Sequence, residues 1–163
     1  MNIDWDKNWG SHLPVLIKAL SLTTGDVSEM GMGPFSTPFL HWLCFNKRKL
    51  VSYENNKEFY DLNIQYNEGL HEVHFIDNWD QAVLEKPWDV VLVDHAPSNR
   101  RIVDIRRLAN YAKFLVIHDT QRNYKFCDYK QIYPLFKYRY DYKAVIPWTT
   151  VLSNFEELTV FMT

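Results

Sequence analysis

The feature that most constrains the fold is an unbroken apolar run at residues 89–94, Asp-Val-Val-Leu-Val-Asp. A run without polar alternation predicts a strand buried on both faces, as in the parallel sheets of α/β proteins. Strands and helices alternate along the chain in such folds, and the rest of this sequence shows that alternation.

Apolar spacing divides the remaining sequence into elements, because spacings of three and four residues predict helices and short apolar runs predict strands. The predicted helices lie at about residues 11–22, 36–49 and 102–112, and residues 56–68 stay open between helix and loop. The predicted strands are residues 26–30, 50–54, 72–76, 89–94 and 114–119. Ser36 or Thr37 is expected to cap the second helix, and Pro38 suits its first turn.

The C-terminal region has a different pattern. Tyrosines alternate with charged residues over residues 137–143, which predicts a half-exposed strand near an edge of the sheet. Residues 149–152 and 158–162 are predicted to be further short strands, paired as a hairpin. The expected fold is α/β, a single Rossmann-like domain over residues 1–163. Its twisted sheet should be mostly parallel and flanked by helices, with an antiparallel C-terminal strand or hairpin.

Composition narrows the classes of function. The 163 residues are one domain's worth, and the net charge of −2 gives no overall field that would attract nucleic acid or an anionic membrane. Cys44 and Cys127 form neither a disulfide framework nor a metal-binding spacing, which favours a reducing environment. The N-terminus lacks the pattern of a signal peptide, and no apolar run reaches the ~20 residues that span a bilayer. We therefore expect a cytoplasmic protein without a membrane segment.

Acidic residues stand at the end of every strand that we predict for the parallel part of the sheet. Ligands of α/β sheets bind outside the carboxyl ends of the strands, so these side chains are candidates for one shared site. The five residues are Glu29, Glu54, Asp77, Asp94 and Asp119.

A glycine loop, Gly31-Met32-Gly33, follows the first strand and precedes the second helix. Glycine lets backbone approach a ligand closely, and a helix that begins near Ser36 offers unpaired N–H groups. Glu54, at the end of the next strand, is able to accept hydrogen bonds from both hydroxyls of a ribose. Together these residues predict a nucleotide site, and an ordinary strand–helix turn beside a solvated glutamate is the alternative.

Two nucleotide cofactors compete for this loop. A dinucleotide fingerprint requires a third glycine at the position of Ser36. Glu29, two residues before Gly31, would repel a pyrophosphate but would receive the ammonium group of an amino-acid-bearing cofactor. This electrostatic difference favours S-adenosylmethionine over NAD.

The glycine loop and the acids at the next three strand ends resemble the class I S-adenosylmethionine-dependent methyltransferases over about residues 11–120. The matching residues are Glu29, Gly31, Gly33, Glu54, Asp77 and Asp94. The resemblance implies a Rossmann-like enzyme that transfers a methyl group from S-adenosylmethionine to an oxygen or nitrogen acceptor. Phe35 departs from the family pattern, in which a small residue often occupies that position.

The resemblance also assigns residues to the parts of the cofactor. Glu29 and the loop Gly31-Met32-Gly33 would hold the methionine part, Glu54 the ribose, and Asp77 with Asn78 and Trp79 the adenine. The other residues predicted to bind the cofactor are Ser36, Thr37, Asn55 and Asp94. Trp79 is equally explained as a core or loop aromatic, and Asp77 as the cap of the element that follows it.

The fourth and fifth strand ends carry candidates for catalysis. Asp94 and Asp119 would hold a divalent cation such as Mg²⁺, similar to the metal-dependent small-molecule O-methyltransferases. Those enzymes add an asparagine at the position of Thr120, which weakens the match. Asp94 and His95 are the predicted catalytic residues, with His95 as a general base or a structural group. For His118 a structural role is favoured.

The basic residues near the site and the tyrosines of residues 138–142 each have a structural and a functional interpretation. A basic rim near the site would bind phosphate or carboxylate groups, with Arg100 and Arg101 as the best candidates for contacting substrate, or it is a solvated helix face. The rim residues are Arg100, Arg101, Arg106, Arg107, Arg122 and Lys125. The tyrosines at 138–142 would stack on bases, or they form the apolar face of a strand.

The favoured function is methyl transfer to a small molecule, and two alternatives stay open: an NAD-linked oxidoreductase and a non-catalytic module that binds cofactor. The acceptor site would come from the N-terminal helix, the loop at 95–101 and the segment at 120–135. A second copy of the chain, in a homo-oligomer, is the other source.

Overall fold

The computed structural model describes residues 6–121 and 127–162. The strands are β1 (Val27–Met30), β2 (Leu50–Glu54), β3 (His71–Phe75), β4 (Trp88–Val93), β5 (Ala112–Ile117), β6 (Tyr138–Tyr142) and β7 (Thr149–Ser153). The α-helices are α1 (Leu13–Ser21), α2 (Ser36–Cys44), α3 (Lys57–Asn63) and α4 (Arg101–Leu108). Short 3₁₀ turns occupy several of the connections.

One sheet holds all of these strands, in the order β3-β2-β1-β4-β5-β7-β6. The pairs among β1 to β5 are parallel, whereas β7 pairs antiparallel with both β5 and β6. The chain therefore has a Rossmann-like sheet with an antiparallel C-terminal pair at one edge, as the sequence predicts.

The side chains of β4 explain why the sheet is covered on both faces. Val91 and Val93 belong to a core cluster with the apolar side of α4, while Val90 and Leu92 belong to a second cluster with α1 and α2. Successive side chains of a strand point to opposite faces, so an unbroken apolar run needs both cores.

Strand order reverses at β1, which lies between β2 and β4. The connections from β1 and from β4 leave to opposite faces of the sheet there, and they open a crevice at the carboxyl ends of the strands. The glycine loop and Asp94 flank this crevice, since Gly31 N donates to Tyr53 O (3.0 Å) and Asp94 N donates to Met30 O (2.8 Å).

Most of the predicted helices and strands are present, and their first and last residues differ from the predicted ones. The open segment at 56–68 contains α3 and a 3₁₀ turn at Ile64–Tyr66. Ser36 and Thr37 are the first residues of α2, so the prediction that one of them caps it from outside is wrong.

The predicted hairpin is also wrong, because residues 159–162 form a 3₁₀ turn and β7 pairs with β6 instead. Phe161 of that turn fills the core cluster beneath the sheet, a role that an apolar run performs equally well outside a strand. The alternating tyrosines do form an edge strand, and Tyr138, Tyr140 and Tyr142 pack against the same cluster. Within the described residues, no helix is long and apolar enough to cross a bilayer.

Gly31 and Gly33 provide a matched test of the loop. Gly31 has a φ of +91°, and a Cβ added there would lie 2.7 Å from backbone atoms of Asp94 and His95. At Gly33 a Cβ would meet only Ser36 Oγ, at 3.8 Å. We expect Gly31→Ala to lower the free energy of unfolding by about 2–4 kcal/mol, combining left-handed strain with overpacking, and Gly33→Ala by less than about 1 kcal/mol. Urea unfolding measures both, and equal effects would contradict this account of the loop.

Candidate functional site

A cavity of about 440 Å³ lies at the carboxyl ends of β1, β2, β4 and β5. This volume is in the range of small-molecule and cofactor sites. Its walls come from the glycine loop, the strand ends, the N-terminal segment and the turn before β7. The wall residues used below are Gly31, Met32, Gly33, Ser36, Glu54, Asn56, Phe59, Trp9, His12, Asp94, His95, Arg101, His118, Asp119 and Pro147.

Glu54 fixes the glycine loop and lines the cavity. Its Oε2 accepts from Met32 N (2.7 Å), and its Oε1 accepts from Asn55 N (2.9 Å) and Asn56 N (2.7 Å). Burial raises the pKa of Glu54 against the opposing effect of these bonds. Two carboxylate oxygens accept about four hydrogen bonds, so this side chain retains capacity for a ligand hydroxyl.

Glu29 lies beneath the loop and is not among the described residues that line the cavity. Its Oε1 accepts from Thr37 Oγ1 (3.0 Å) and its Oε2 from Ser52 Oγ (2.6 Å), while Thr37 Oγ1 accepts from Gly33 N (3.1 Å). The predicted contact between Glu29 and an ammonium group therefore does not fit this placement. Thr37 likewise supports the loop from below.

A directed chain of hydrogen bonds ends on Glu29. Ser52 Oγ donates to Glu29, so it accepts from His71 Nε2 (2.9 Å). The remaining nitrogen of a neutral His71 then accepts from His41 Nδ1 (3.1 Å), and burial lowers the pKa of His71 to about 4. For Glu29 itself burial outweighs the bonds from Ser36, Ser52 and Thr37, and it raises the pKa to about 7.

The residues predicted to hold adenine lie elsewhere. Asp77 and Asn78 are exposed, and Trp79 is buried in the core, where its Nε1 donates to Ala96 O (2.8 Å). Asn78 Oδ1 accepts from Asp80 N (3.0 Å), as a cap for the 3₁₀ turn that follows. None of the three is among the described residues that line the cavity, so their contact with adenine stays a prediction.

Asp94 and His118 form a polar pair at the end of the cavity that lies opposite the glycine loop. His118 Nδ1 lies 3.1 Å from Asp94 Oδ2, and its Nε2 lies 2.8 Å from Ser11 Oγ, which donates to Pro147 O (2.9 Å). Burial opposes the charged form of both groups, but their mutual attraction outweighs it. The pKa of Asp94 is lowered and the pKa of His118 is raised.

Arg101 occupies the space between the two carboxylates where the sequence predicts a Mg²⁺ ion. Its Nη2 donates to Asp94 Oδ1 (3.0 Å) and its Nη1 lies 3.4 Å from Asp119 Oδ2. Three backbone carbonyls accept its other bonds: His95 O (2.7 Å), Asp94 O (2.9 Å) and His118 O (3.2 Å). The guanidinium is buried and its donors are used within the protein, which argues against the predicted contact with substrate.

His95 and Arg100 also differ from their predicted roles. The His95 ring packs against Trp79, with centroids 4.0 Å apart, and its Nε2 lies 3.1 Å from Asp104 Oδ2. Arg100 binds Asp104 (2.9 Å) and Asp80 (2.6 Å). His95 thus lines the cavity while its ring is held in place by Trp79 and Asp104, and Arg100 is engaged on the helix surface.

The rest of the predicted basic rim does not gather at the cavity. Arg107 binds Glu85 on the protein surface, and Arg106 is exposed. Arg122 and Lys125 lie outside the described residues.

His12 is a site residue that sequence reasoning missed. It is 1% exposed and lines the cavity with its ring edge-on to His118, at a centroid distance of 4.8 Å. Burial lowers its pKa to about 4. No spacing in the sequence connects it to the strand ends, so only the packing of α1 against β5 reveals it.

No family model matches this chain, and no curated protein matches it in sequence. Among solved structures it is similar to the N-methyltransferase NodS of Bradyrhizobium japonicum WM9, with 12% identity, a TM-score of 0.65 and coverage of 93% of this chain and 100% of NodS. It is also similar to the O-methyltransferase TomG of Streptomyces achromogenes, solved in complex with S-adenosylmethionine, with 16% identity, a TM-score of 0.66 and coverage of 91% and 81%. A methyltransferase of Pyrococcus furiosus gives 14% identity, a TM-score of 0.58 and coverage of 96% and 90%. The chain therefore has the class I methyltransferase fold.

Glu29 should make stability depend on pH. Its folded pKa of about 7 exceeds its ordinary value of 4.5, so the folded state binds the extra proton between these values. The resulting stabilisation is full below about pH 4.5 and is lost as the pH rises through about 7. We expect the free energy of unfolding of the wild type to fall by about 2–4 kcal/mol more over this window than that of Glu29→Gln. Denaturant titrations at several pH values measure this, with Glu157→Gln, on the exposed surface, as the control; parallel profiles for the wild type and Glu29→Gln would refute it.

Arg101 should stabilise the fold through its fork of donors. Lysine keeps the charge but reaches fewer of the carbonyls, and it leaves the half-buried Asp94 poorly paired. We expect Arg101→Lys to lower the free energy of unfolding by about 3 kcal/mol, and the exposed Arg106→Lys by less than about 0.5 kcal/mol. Urea unfolding compares the two variants. A change of similar size in both would show that Arg101 does not tie the strand ends together.

Proposed function

We propose that this protein is an S-adenosylmethionine-dependent methyltransferase acting on an oxygen or nitrogen atom of a small molecule. The observation that carries the proposal is the position of Glu54. Its carboxylate lines a cavity at the point of strand-order reversal and holds the glycine loop beside it. Similarity to methyltransferase structures supports the fold, and the activity rests on the site.

The cofactor fits at the β1–β2 end of the cavity. The backbone of Gly31, Met32 and Gly33 would face the methionine part, with Ser36 at the first turn of α2. Glu54 would accept from the ribose hydroxyls. Asn56 and Phe59 line the wall beyond Glu54, and the adenine would lie against them.

The acceptor fits at the β4–β5 end, beside Asp94 and Asp119. In methyl transfer a lone pair of the acceptor atom forms a bond to the methyl carbon as the bond from that carbon to the sulfonium sulfur breaks. A hydroxyl acceptor gives up its proton, and an ammonium group must lose a proton first to free its lone pair. The chain's task is to align the two reactants and to receive that proton. Arg101 and His118 hold Asp94, whereas the contacts of Asp119 are long, 3.4 Å to Arg101 and 3.8 Å to His118. We therefore assign to the Asp119 carboxylate the role of receiving the acceptor's proton, with Asp94 as its positioning partner.

The proposal includes the expected domain organisation, cellular location and type of acceptor. One continuous sheet supports a single domain over residues 1–163. The free, buried thiols of Cys44 and Cys127 support a reducing, cytoplasmic location. Trp9, Ile146 and Pro147 give the cavity a partly apolar wall, which suits a small acceptor and does not call for a second copy of the chain.

Ligand binding tests the proposal directly. We expect S-adenosylhomocysteine and S-adenosylmethionine to raise the melting temperature and to bind with 1:1 stoichiometry in calorimetry, and NAD to do neither. Glu54→Gln should weaken the binding of S-adenosylhomocysteine by about 10–100-fold, because hydrogen bonds to a charged acceptor contribute about 1.5–3 kcal/mol.

The control for this experiment is Glu157→Gln, a matched change on the exposed surface. Melting curves without ligand establish that each variant is folded. A folded wild type that binds neither adenosyl compound, or that binds NAD in preference, would overturn the proposed function.

A further inference from the structure

We propose that His12, Asp94 and His118 bind one first-row transition metal ion at the acceptor end of the cavity, of the Zn²⁺ and Co²⁺ class rather than Mg²⁺. This site differs from the pair of carboxylates that the sequence predicts, because Asp119 is not one of its ligands. It takes one residue from the N-terminal end of α1 and two from neighbouring strand ends.

The separation of the side chains supports the site. One ligand atom from each of the three residues lies within 4.8 Å of the others. His118 Nδ1 and Asp94 Oδ2 are 3.1 Å apart. Two ligands at about 2.1 Å from one ion lie about 3.0–3.5 Å from each other, so this pair already has the spacing of adjacent ligands. A small approach by the His12 ring completes the set.

The outer hydrogen bonds turn two ligand atoms towards each other. His118 Nδ1 and Asp94 Oδ2 share a hydrogen bond, and a bound metal ion would replace the proton between them, which is released to solvent. Ser11 Oγ donates to Pro147 O, so it accepts from His118 Nε2 and turns Nδ1 towards the site. Arg101 binds Oδ1 of Asp94, which leaves Oδ2 on the same side as Nδ1. Ligating histidines and carboxylates in metalloproteins are held by outer hydrogen bonds of this kind.

His12 provides a second, independent observation. Both of its ring nitrogens are buried and lack a hydrogen-bond partner among the residues that the structure describes. Buried polar atoms are satisfied in the great majority of cases, so an orphaned imidazole in a cavity wall points to a ligand. A metal ion between His12 and His118 supplies a partner for one of these two nitrogens.

The donor set selects the class of metal. Two imidazoles and one carboxylate suit Zn²⁺, Co²⁺ or Fe²⁺, whereas Mg²⁺ prefers oxygen ligands in near-octahedral geometry. Arg101 occupies the gap between Asp94 and Asp119, so a cation shared by these two carboxylates would meet a guanidinium. On the His12 side of Asp94 the neighbouring ligands are imidazoles instead.

Such an ion would determine the chemical class of acceptor. Three protein ligands leave coordination positions open, and an ion in this wall would bind an acceptor oxygen and lower its pKa. This role rests on the proposed methyl transfer, and it points to hydroxyl-bearing small molecules rather than amines. Binding of the ion itself does not depend on that activity.

The test is metal binding by the full chain without any adenosyl compound. EDTA-treated protein is titrated with Co²⁺, followed by its visible absorption, and with Zn²⁺ and Mg²⁺ by calorimetry. We expect one Co²⁺ or Zn²⁺ per chain and at least about 100-fold weaker binding of Mg²⁺. His12→Ala should weaken binding of Co²⁺ by about 100-fold or more, whereas Asp119→Asn and the exposed His74→Ala should stay within about 3-fold of the wild type.

Three outcomes would overturn the proposal: no stoichiometric Co²⁺ or Zn²⁺ on folded wild type, unchanged affinity in folded His12→Ala, or loss of binding in Asp119→Asn alone. The wild-type titration decides even if His12→Ala fails to fold, and His12→Gln then serves as the second variant. S-adenosylhomocysteine binding is measured separately, so failure of the metal site and failure of the proposed function give different results.

Discussion

The buried guanidinium of Arg101 is the interaction on which the acceptor end of the cavity depends. Where β4 and β5 end, backbone carbonyls leave the sheet without a strand partner, and buried carbonyls need donors. Arg101 supplies them to Asp94, His95 and His118, and it binds the side chain of Asp94 as well. The guanidinium is buried and the carboxylate is half-buried at the cavity wall, so the charge of Arg101 would be uncompensated in the interior without Asp94.

The cofactor end is held by the opposite arrangement. There the exposed backbone groups are N–H donors of a glycine loop, and acceptor side chains hold them. Glu54 binds Met32 from the β2 side, and Thr37 binds Gly33 from within α2. Glu29 supports Thr37 in turn. Acidic and hydroxyl acceptors therefore hold the backbone at one end of the cavity, and a basic donor holds it at the other end.

The sequence predicts the order of strands and helices well, because each of these elements leaves a local pattern in the residues that form it. The apolar run at β4, the helical spacing of α1 and the glycines after β1 each leave a local pattern. Glu54 is found in the same way, from its position at a strand end. The 3₁₀ turn at residues 159–162 is not, because a short apolar run has the same composition in a strand and in a turn.

The site residues that the sequence misplaces share a different cause. Glu29 lies in β1 as predicted, but position along a strand does not reveal whether a carboxylate meets a cavity or two hydroxyls. Trp79 lies in the 3₁₀ turn after β3, and its place in the sequence does not reveal that its ring packs in the core. Between the adjacent Arg100 and Arg101, only the phase of α4 decides which guanidinium is buried. His12 becomes a neighbour of His118 through packing of two distant segments, and no local pattern encodes that contact.

The hydrogen bond from Ser11 to Pro147 joins segments 136 residues apart. Pro147 precedes β7, and β7 enters the sheet between β5 and β6, so this wall of the cavity requires nearly the entire chain. During synthesis the first five strands and the glycine loop emerge well before that wall is made. The residues of the loop side are therefore all available before those of the Pro147 wall. The enclosed cavity, with His118 oriented through Ser11, forms only once the C-terminal strands have been released and have paired.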